Sequence, residues 1–190
     1  MKVIDINSKN SLQGAASVFE EGGILVFPTD TVYGIGCLMD GETIRQLYKI
    51  KNRLFNQPTA ILMNKNVYLN RSSEKSYAVI PDNMQKYFLG GQVTMVISVN
   101  KFTMHFPRMI IKNGKVGIRL PQYPWLEKII DKVGPIVASS ANKKGERPPT
   151  KFEAIDNGII KQVNLAVRTD IKIFGKPSCV YDIELGKYIR

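Results

Sequence analysis

The sequence predicts an α/β fold in which a twisted mixed sheet is flanked by helices, and three observations predict it. Short apolar runs rich in Val and Ile alternate along the chain with segments of helical periodicity. No internal repeat or low-complexity linker interrupts them. With 190 residues the chain can bury a full core as a single domain, residues 1–190.

The elements follow in order. Ser8 or Asn7 is expected to cap a helix that places Leu12, Ala15, Ala16 and Phe19 on one face and stops at Gly22-Gly23. A buried strand, 24–27, comes next and opens into a polar loop. Asp40 is expected to cap a second helix with Ile44, Leu47 and Tyr48 inward and Lys49 and Lys51 at its end. Thr59 to Met63 reads as a buried strand, and residues 73–89 as helical in part despite Pro81. Strands are expected at 93–99 and 116–120, the latter stopped by Pro121. Trp125, Leu126, Ile129 and Ile130 share a helical face, and 135–138 forms a strand that runs into Ser139-Ser140-Ala141-Asn142. Thr150 is expected to cap a short helix, and β-type segments near 164–168 and 178–183 close the chain.

Composition narrows the class. Hydrophobic and charged contents of 44% and 23% are those of a soluble globular protein. No apolar run approaches the ~20 residues that span a bilayer, and the segment from Met1 to Asp5 lacks the apolar stretch of a signal peptide. Cys37 and Cys179 make neither a disulfide framework nor a metal-ligand spacing, so the expected compartment is a reducing cytoplasm. The net charge of +11 predicts attraction to polyanions, and residues 101–150 hold ten Lys/Arg against three Asp/Glu. A phosphate-rich partner, nucleotide or nucleic acid, fits that excess; so does a solvated basic surface.

Several chemistries are excluded by motif. Gly114-Lys115, Gly175-Lys176 and Gly186-Lys187 are followed by Val, Pro and Tyr, so no P-loop is present. After Gly34-Ile35-Gly36 the dinucleotide fingerprint fails at Met39. His105 stands without a cysteine or carboxylate cluster for zinc, and no G-x-S-x-G accompanies it, so no metal site or Ser-His-Asp hydrolase is expected.

Three patches carry polar groups in a pattern that suits a ligand. In "PTDTVYGIG" (Pro28–Gly36), Thr29, Thr31 and Tyr33 supply hydroxyls, Asp30 a carboxylate, and Gly34 and Gly36 allow close backbone approach. The same residues also serve an ordinary turn. In "KIKNRLFNQP" (Lys49–Pro58), Lys51 and Arg53 lie two apart. On a helix they point about 200° from each other, whereas in an extended segment they share a face and suit a polyphosphate. Cations at a helix C-terminus are the alternative. In "VASSANKKGERPP" (Val137–Pro149), a strand empties into Ser139, Ser140 and Asn142, then into Lys143, Lys144 and Arg147. Strand ends of α/β sheets bind ligands, and small hydroxyls with free N–H groups can wrap a phosphate; a surface turn is the plainer reading.

Taken together, "PTDTVYGIG", "KNR", "VGIRLPQYP", "SSAN" and "PSCVYD", in that order and with suitable spacing, resemble the threonylcarbamoyl-AMP synthase (YrdC-like) family over nearly the whole chain. The resemblance implies a YrdC-like fold around a basic cavity, in the family's short single-domain form. It implies an enzyme that joins L-threonine, bicarbonate and ATP into threonylcarbamoyl-AMP and pyrophosphate, usually with magnesium. A tRNA threonylcarbamoyl transferase complex then modifies tRNA, and direct contact with tRNA or double-stranded RNA is open. By position, Thr31 and Arg119 match threonine-binding residues, and Thr29, Tyr33 and Ala138 fall beside them. Lys51, Arg53, Ser140, Asn142 and Arg190 match positions that hold the nucleotide and its phosphates, with Lys51 and Arg53 the expected catalytic cations. Ser178 and Lys115 are weaker candidates for nucleotide binding. A carbamate formed on threonine can attack the α-phosphorus itself, so no protein nucleophile is required.

The chain departs from the family pattern at Leu62, where many longer members have histidine, at Leu54, where proline is usual after "KNR", and at Ser178-Cys179, where Ser-Thr is common. The K-x-R and S-x-N patterns are both present, which favours an active enzyme. Two other readings remain open: a noncatalytic RNA-binding module, with Tyr68, Tyr77, Tyr87 and Phe88 stacking on bases, and a family member that acts on a different amine.

Overall fold

The computed structural model describes residues 2–54, 57–72 and 80–190. Among these residues ten strands form one sheet. They are β1 (Lys2–Asp5), β2 (Leu25–Phe27), β3 (Gly34–Leu38), β4 (Ala60–Leu62), β5 (Val93–Ser98), β6 (Lys115–Arg119), β7 (Ile136–Ser140), β8 (Leu165–Arg168), β9 (Cys179–Asp182) and β10 (Lys187–Tyr188). Their spatial order is β1-β8-β2-β3-β7-β4-β6-β5-β9-β10. Parallel pairs (β1 with β8, β2 with β8, β4 with β6, β5 with β9) mix with antiparallel ones, so the sheet is of the predicted mixed kind.

The helices are α1 (Ser11–Glu20), α2 (Gly41–Ile50), α3 (Lys65–Arg71), α4 (Asp82–Leu89), α5 (Pro124–Val133) and α6 (Asn157–Ile160). Asp40 caps α2 as expected: its carboxylate accepts from the Thr43 N–H at 2.8 Å. The start of α1 differs from expectation. Ser8 and Asn7 are spent on turns with Asp5 and Ser11, and Asn10 takes the cap position without a side-chain bond. Thr150 caps no helix; Phe152–Ala154 is a 3-10 turn, and Asp156 caps α6 through the Gly158 N–H. Pro81 precedes α4 rather than interrupting it, as its missing N–H favours. The expected helical character of 73–79 lies outside the described residues.

Period-2 alternation sorts the strand residues onto two faces. Val26, Val137, Ile118 and Met95 belong to a core shared with α2 and α4. Leu25, Phe27, Ile136 and Ala138 belong to a second core on the opposite face, closed by α1 and α5 through Phe19, Leu126 and Ile129. Those two helices cover the part of that face built by β2, β7 and β8. Farther along, on β4, β6, β5 and β9, the same face bears Ala60, Gly117, Thr94 and Val180 and becomes the wall of a cavity.

The aromatics considered for base stacking divide. Tyr68 and Phe88 are fully buried and meet edge to face at 5.3 Å, so they serve the core; Tyr87 is exposed, and Tyr77 lies outside the described residues.

Candidate active site

The cavity has a volume of about 830 Å³, within the ~300–1,000 Å³ of small-molecule sites. Its floor is the uncovered sheet face. Lys115, Gly117 and Arg119 point the same way along β6. The four residue steps between Lys115 and Arg119 separate them by about 13 Å at ~3.3 Å per residue. Gly117 keeps the middle low: a Cβ there would lie 3.3 Å from Thr94 Cγ2.

One end is built by the loop between β2 and β3. Thr29 Oγ1 donates to the Val32 carbonyl at 2.7 Å and accepts from the N–H groups of Thr31 and Val32, so it folds the loop back on itself. The Thr29 and Thr31 hydroxyls lie 3.0 Å apart, and both residues line the cavity. Arg119 and Ala138 line it too. Tyr33, expected beside them, turns the other way. It is fully buried, its hydroxyl accepts from the Thr169 N–H at 3.0 Å, and burial pushes the phenol up to about 12. Gly34 lines the cavity, but Gly36 faces β7, where a Cβ would meet the Val137 carbonyl oxygen at 2.7 Å. The "GIG" pair therefore belongs to a strand, not to a flexible loop.

The end of α2 decides where Lys51 and Arg53 go. Asn52 has φ 47°, its N–H reaches the Lys49 carbonyl, and the Arg53 N–H reaches the Tyr48 carbonyl. This is a Schellman cap with Asn in the left-handed position. The chain turns sharply between the two cations, so neither the helical nor the extended expectation holds. Lys51 is buried and does not line the cavity. Its Nζ donates to the Ser140 carbonyl at 2.6 Å and also to the Asn142 carbonyl. Burial, reinforced by nearby Arg53, pulls its ammonium down to about 8. Arg53 does line the cavity, braced by the Gln57 and Pro58 carbonyls at 2.8 and 2.6 Å and by Ser139 Oγ at 3.3 Å.

Both cations thus converge on the end of β7. Ser140 and Asn142 line the cavity there. Asn142 Nδ2 closes the following turn onto the Lys143 and Glu146 carbonyls, and its Oδ1 has no partner among the described residues.

The far end is formed by β9 and the residues after it. The Ser178 and Thr94 hydroxyls are 2.8 Å apart. Arg190 reaches the cavity because its carbonyl accepts from the Val180 N–H, which holds the residue along β9. Lys115 is tied up by Asp182 at 3.0 Å and Glu184 at 2.8 Å, and these partners hold its ammonium above the ordinary lysine value. Among the described lining residues, Arg53, Lys112, Lys115, Arg119 and Arg190 face one acid, Asp182. Burial depresses the Arg53 guanidinium from its ordinary value, and nearby Arg190 pushes the same way.

Lys112, Asn113 and Cys179 line the cavity without having been singled out. Asn113-Gly114, with φ 51° and 70°, is the two-residue turn leading into β6. That Asn-Gly pair is a hairpin signal which could have placed Lys112 at the rim. Nothing local foretells Cys179. His105 is not among the lining residues.

With this geometry, comparison with known proteins is specific. Residues 17–190 match the model of the Sua5/YciO/YrdC family, described as telomere recombination. The chain belongs to that family. Among Sua5/YciO/YrdC proteins it is similar to a Methanocaldococcus jannaschii protein provisionally named threonylcarbamoyl-AMP synthase. The two are 28% identical over 196 residues, which span 100% of this chain and 89% of the relative. Threonylcarbamoyl-AMP synthase of Xanthomonas oryzae pv. oryzae is 24% identical over 185 residues, 95% of this chain and 97% of that one. The crystal structure of P. abyssi Sua5 complexed with L-threonine superposes with a TM-score of 0.81 at 25% identity, covering 96% of this chain and 54% of Sua5. E. coli YciO, at 21% identity and a TM-score of 0.76, shares the fold. Leu62, the departure from the resemblance noted above, is registered against Arg119 across β4 and β6.

Proposed function

We propose that this chain is an L-threonylcarbamoyladenylate synthase. The observation that carries the reading is the convergence of Thr31, Arg119, Arg53, Ser140 and Arg190 on one cationic cavity, although they are scattered along the sequence. The names of the relatives and the threonine complex of Sua5 point the same way.

Threonine's amine takes up bicarbonate with loss of water, giving a carbamate. A carbamate oxygen forms a bond to the α-phosphorus of ATP while the bond to the bridging oxygen breaks, and pyrophosphate leaves with that electron pair. The chain contributes position and charge. In this reading Thr31 and Arg119 hold the amino acid, with Thr29 fixing the loop and Ala138 keeping the floor small. Arg53 and Arg190 face the phosphates, and Ser140, Asn142, Ser178 and Lys115 line the nucleotide's course. Lys51 acts from beneath by holding the end of β7.

The described residues do not fit a protein-held magnesium ion. No group of three or more His, Cys, Asp or Glu is placed to bind one, and Asp182 is engaged by Lys115. A magnesium ion arriving on the triphosphate is consistent with this, because magnesium is commonly held mainly by substrate phosphates.

The product is a mixed anhydride, which calls for a transferase that passes the threonylcarbamoyl group to tRNA in the cytoplasm. Among the described residues no helix is long and apolar enough to cross a membrane. The test is to incubate the protein with radiolabelled bicarbonate, L-threonine and ATP and to separate the adenylates. A labelled adenylate formed only with threonine is expected. Failure to form it, or a preference for another amine, overturns the reading.

A further inference from the structure

Arg119 does more than reach the cavity: its guanidinium is fixed by two groups that the proposed chemistry leaves unused. The residue is only 5% exposed. Nε donates to the Gly91 carbonyl at 3.0 Å, and Nη2 donates to Asp30 Oδ1 at 2.7 Å. In a planar guanidinium, the Nε hydrogen and the Nη2 hydrogen beside it form one edge. That edge is filled by Gly91 and Asp30. The remaining Nη1 and Nη2 hydrogens form the end of the fork and have no partner among the described residues. This end is the geometry that clasps a carboxylate through two parallel bonds.

Gly91 is shaped for the task. Its φ of 71° lies in the left-handed region, and a Cβ there would lie 2.9 Å from Asp30 Oδ2 and 2.8 Å from the Leu120 carbonyl oxygen. A side chain at 91 would therefore push Asp30 off the guanidinium. Asp30 is anchored in turn, since its own carbonyl accepts from the Phe174 N–H at 3.2 Å, while the neighbouring Thr31 carbonyl accepts from Gly175 at 2.7 Å. Burial depresses the Arg119 guanidinium from its ordinary value, and the Asp30 carboxylate opposes that shift.

We infer that Asp30 and Gly91 are the positioning residues of the amino-acid subsite: they occupy one edge of Arg119 so that its free end meets the substrate's α-carboxylate, and they lock that end to the Thr29–Thr31 loop. The inference rests on the proposed synthase reading and adds the atoms that select a free carboxylate. Asp30 touches no substrate and acts through Arg119. Its loss therefore weakens recognition of the amino acid's carboxylate and leaves the nucleotide end, about 13 Å away along β6, in place.

Calorimetric titration of the parent, Asp30→Ala and Asp30→Asn with L-threonine, L-threonine amide and a nonhydrolysable ATP analogue tests this. The parent is expected to bind L-threonine more tightly than the amide. Asp30→Ala is expected to lose threonine affinity at least tenfold, to lose the preference for threonine over the amide, and to keep ATP-analogue affinity within twofold. Retained analogue binding also shows that the variant is folded. Asp30→Asn keeps an acceptor oxygen and should fall between the two; it carries the test if Asp30→Ala does not fold. Equal losses for threonine and the ATP analogue, or an unchanged preference for threonine over the amide, would overturn the inference. If the parent binds no threonine, the synthase reading falls and takes the inference with it.

Discussion

The ammonium of Lys51 sits 2.6 Å from the carbonyl oxygen of Ser140, a residue 89 positions later, and also bonds the Asn142 carbonyl. Lys51 is therefore a strut beneath the strand end whose upper side lines the cavity. This changes what its removal should do. Lys51→Met keeps the length of the stem but leaves two carbonyls without their donor, which costs about 1–3 kcal/mol. A lower melting temperature is expected together with a turnover loss of roughly 10², the scale of a small misplacement near the chemistry. Parent-level adenylate formation by Lys51→Met would show that the strut is dispensable.

The same lysine gives the protein a pH signature. Its folded value is about 8, below the ordinary lysine value. As pH rises from about 8 towards that ordinary value, the unfolded chain keeps the proton and the folded chain has lost it. The penalty for burying this charge is therefore full below about 8, and stability rises with pH across that window as the penalty is relieved. Binding of the triphosphate runs the opposite way, because the cavity loses a nearby positive charge. The KM for ATP should rise between pH 7 and 9 with an inflection near 8, and Lys51→Arg should flatten the inflection. Identical pH profiles for the two proteins would exclude Lys51 as the titrating group.

Two cations of the cavity should differ sharply in weight. Lys115 is neutralised by Asp182 and Glu184, whereas Arg53 has carbonyls and a hydroxyl as partners and no carboxylate among the described residues. Steady-state kinetics with ATP varied should show Arg53→Ala losing at least tenfold more kcat/KM than Lys115→Ala. Equal losses would mean that pairing does not quench Lys115.

Cys179 is exposed and lines the cavity, while Cys37 is buried in β3 with its thiol pushed up to about 12 by burial. Iodoacetamide at neutral pH should modify Cys179 alone and abolish adenylate formation, with ATP slowing both events together. Peptide mapping by mass spectrometry reads the site. Full alkylation of Cys179 with full activity would remove it from the ligand's path.

Gly36→Ala probes the seam between β3 and β7. The new methyl would stand 2.7 Å from the Val137 carbonyl oxygen, 3.0 Å from Ile136 Cγ2 and 3.1 Å from Ala138 Cβ, and the nearest of these is backbone, which cannot swing aside. Overpacking of this kind costs about 1–3 kcal/mol, which for a chain of this size lowers the melting temperature by roughly 2–4 °C per kcal/mol. An unchanged melt would show that the strands can part.

The legible features were those encoded by nearby residues. The Asp40 cap, the amphipathic face of α5 and the short strand expected at 116–120, found as β6 over Lys115–Arg119, are decided within a few positions. The opposed paths of Lys51 and Arg53 hang on the left-handed Asn52, a signal present in the sequence as an Asn just past the last apolar residue of a helix. Tyr33 was misdirected for a different reason. Its hydroxyl is satisfied by Thr169, 136 positions away, and nothing near "TVYG" specifies that partner. The quenching of Lys115 by Asp182, 67 positions later, was out of reach in the same way.

The order of strands in the sheet has a further consequence for how the protein comes into being. β4 is seated between β6 and β7, and β2 between β3 and β8, so each early strand waits for a partner made much later. On the ribosome the first hundred residues can form α1, α2 and the β2–β3 pair, but β4 has no neighbour and β2 lacks β8, so these apolar edges stay open until the second half emerges. Competence to take substrate should therefore arrive in a single late step, and a stalled or truncated nascent chain is exposed to aggregation before it can bind anything.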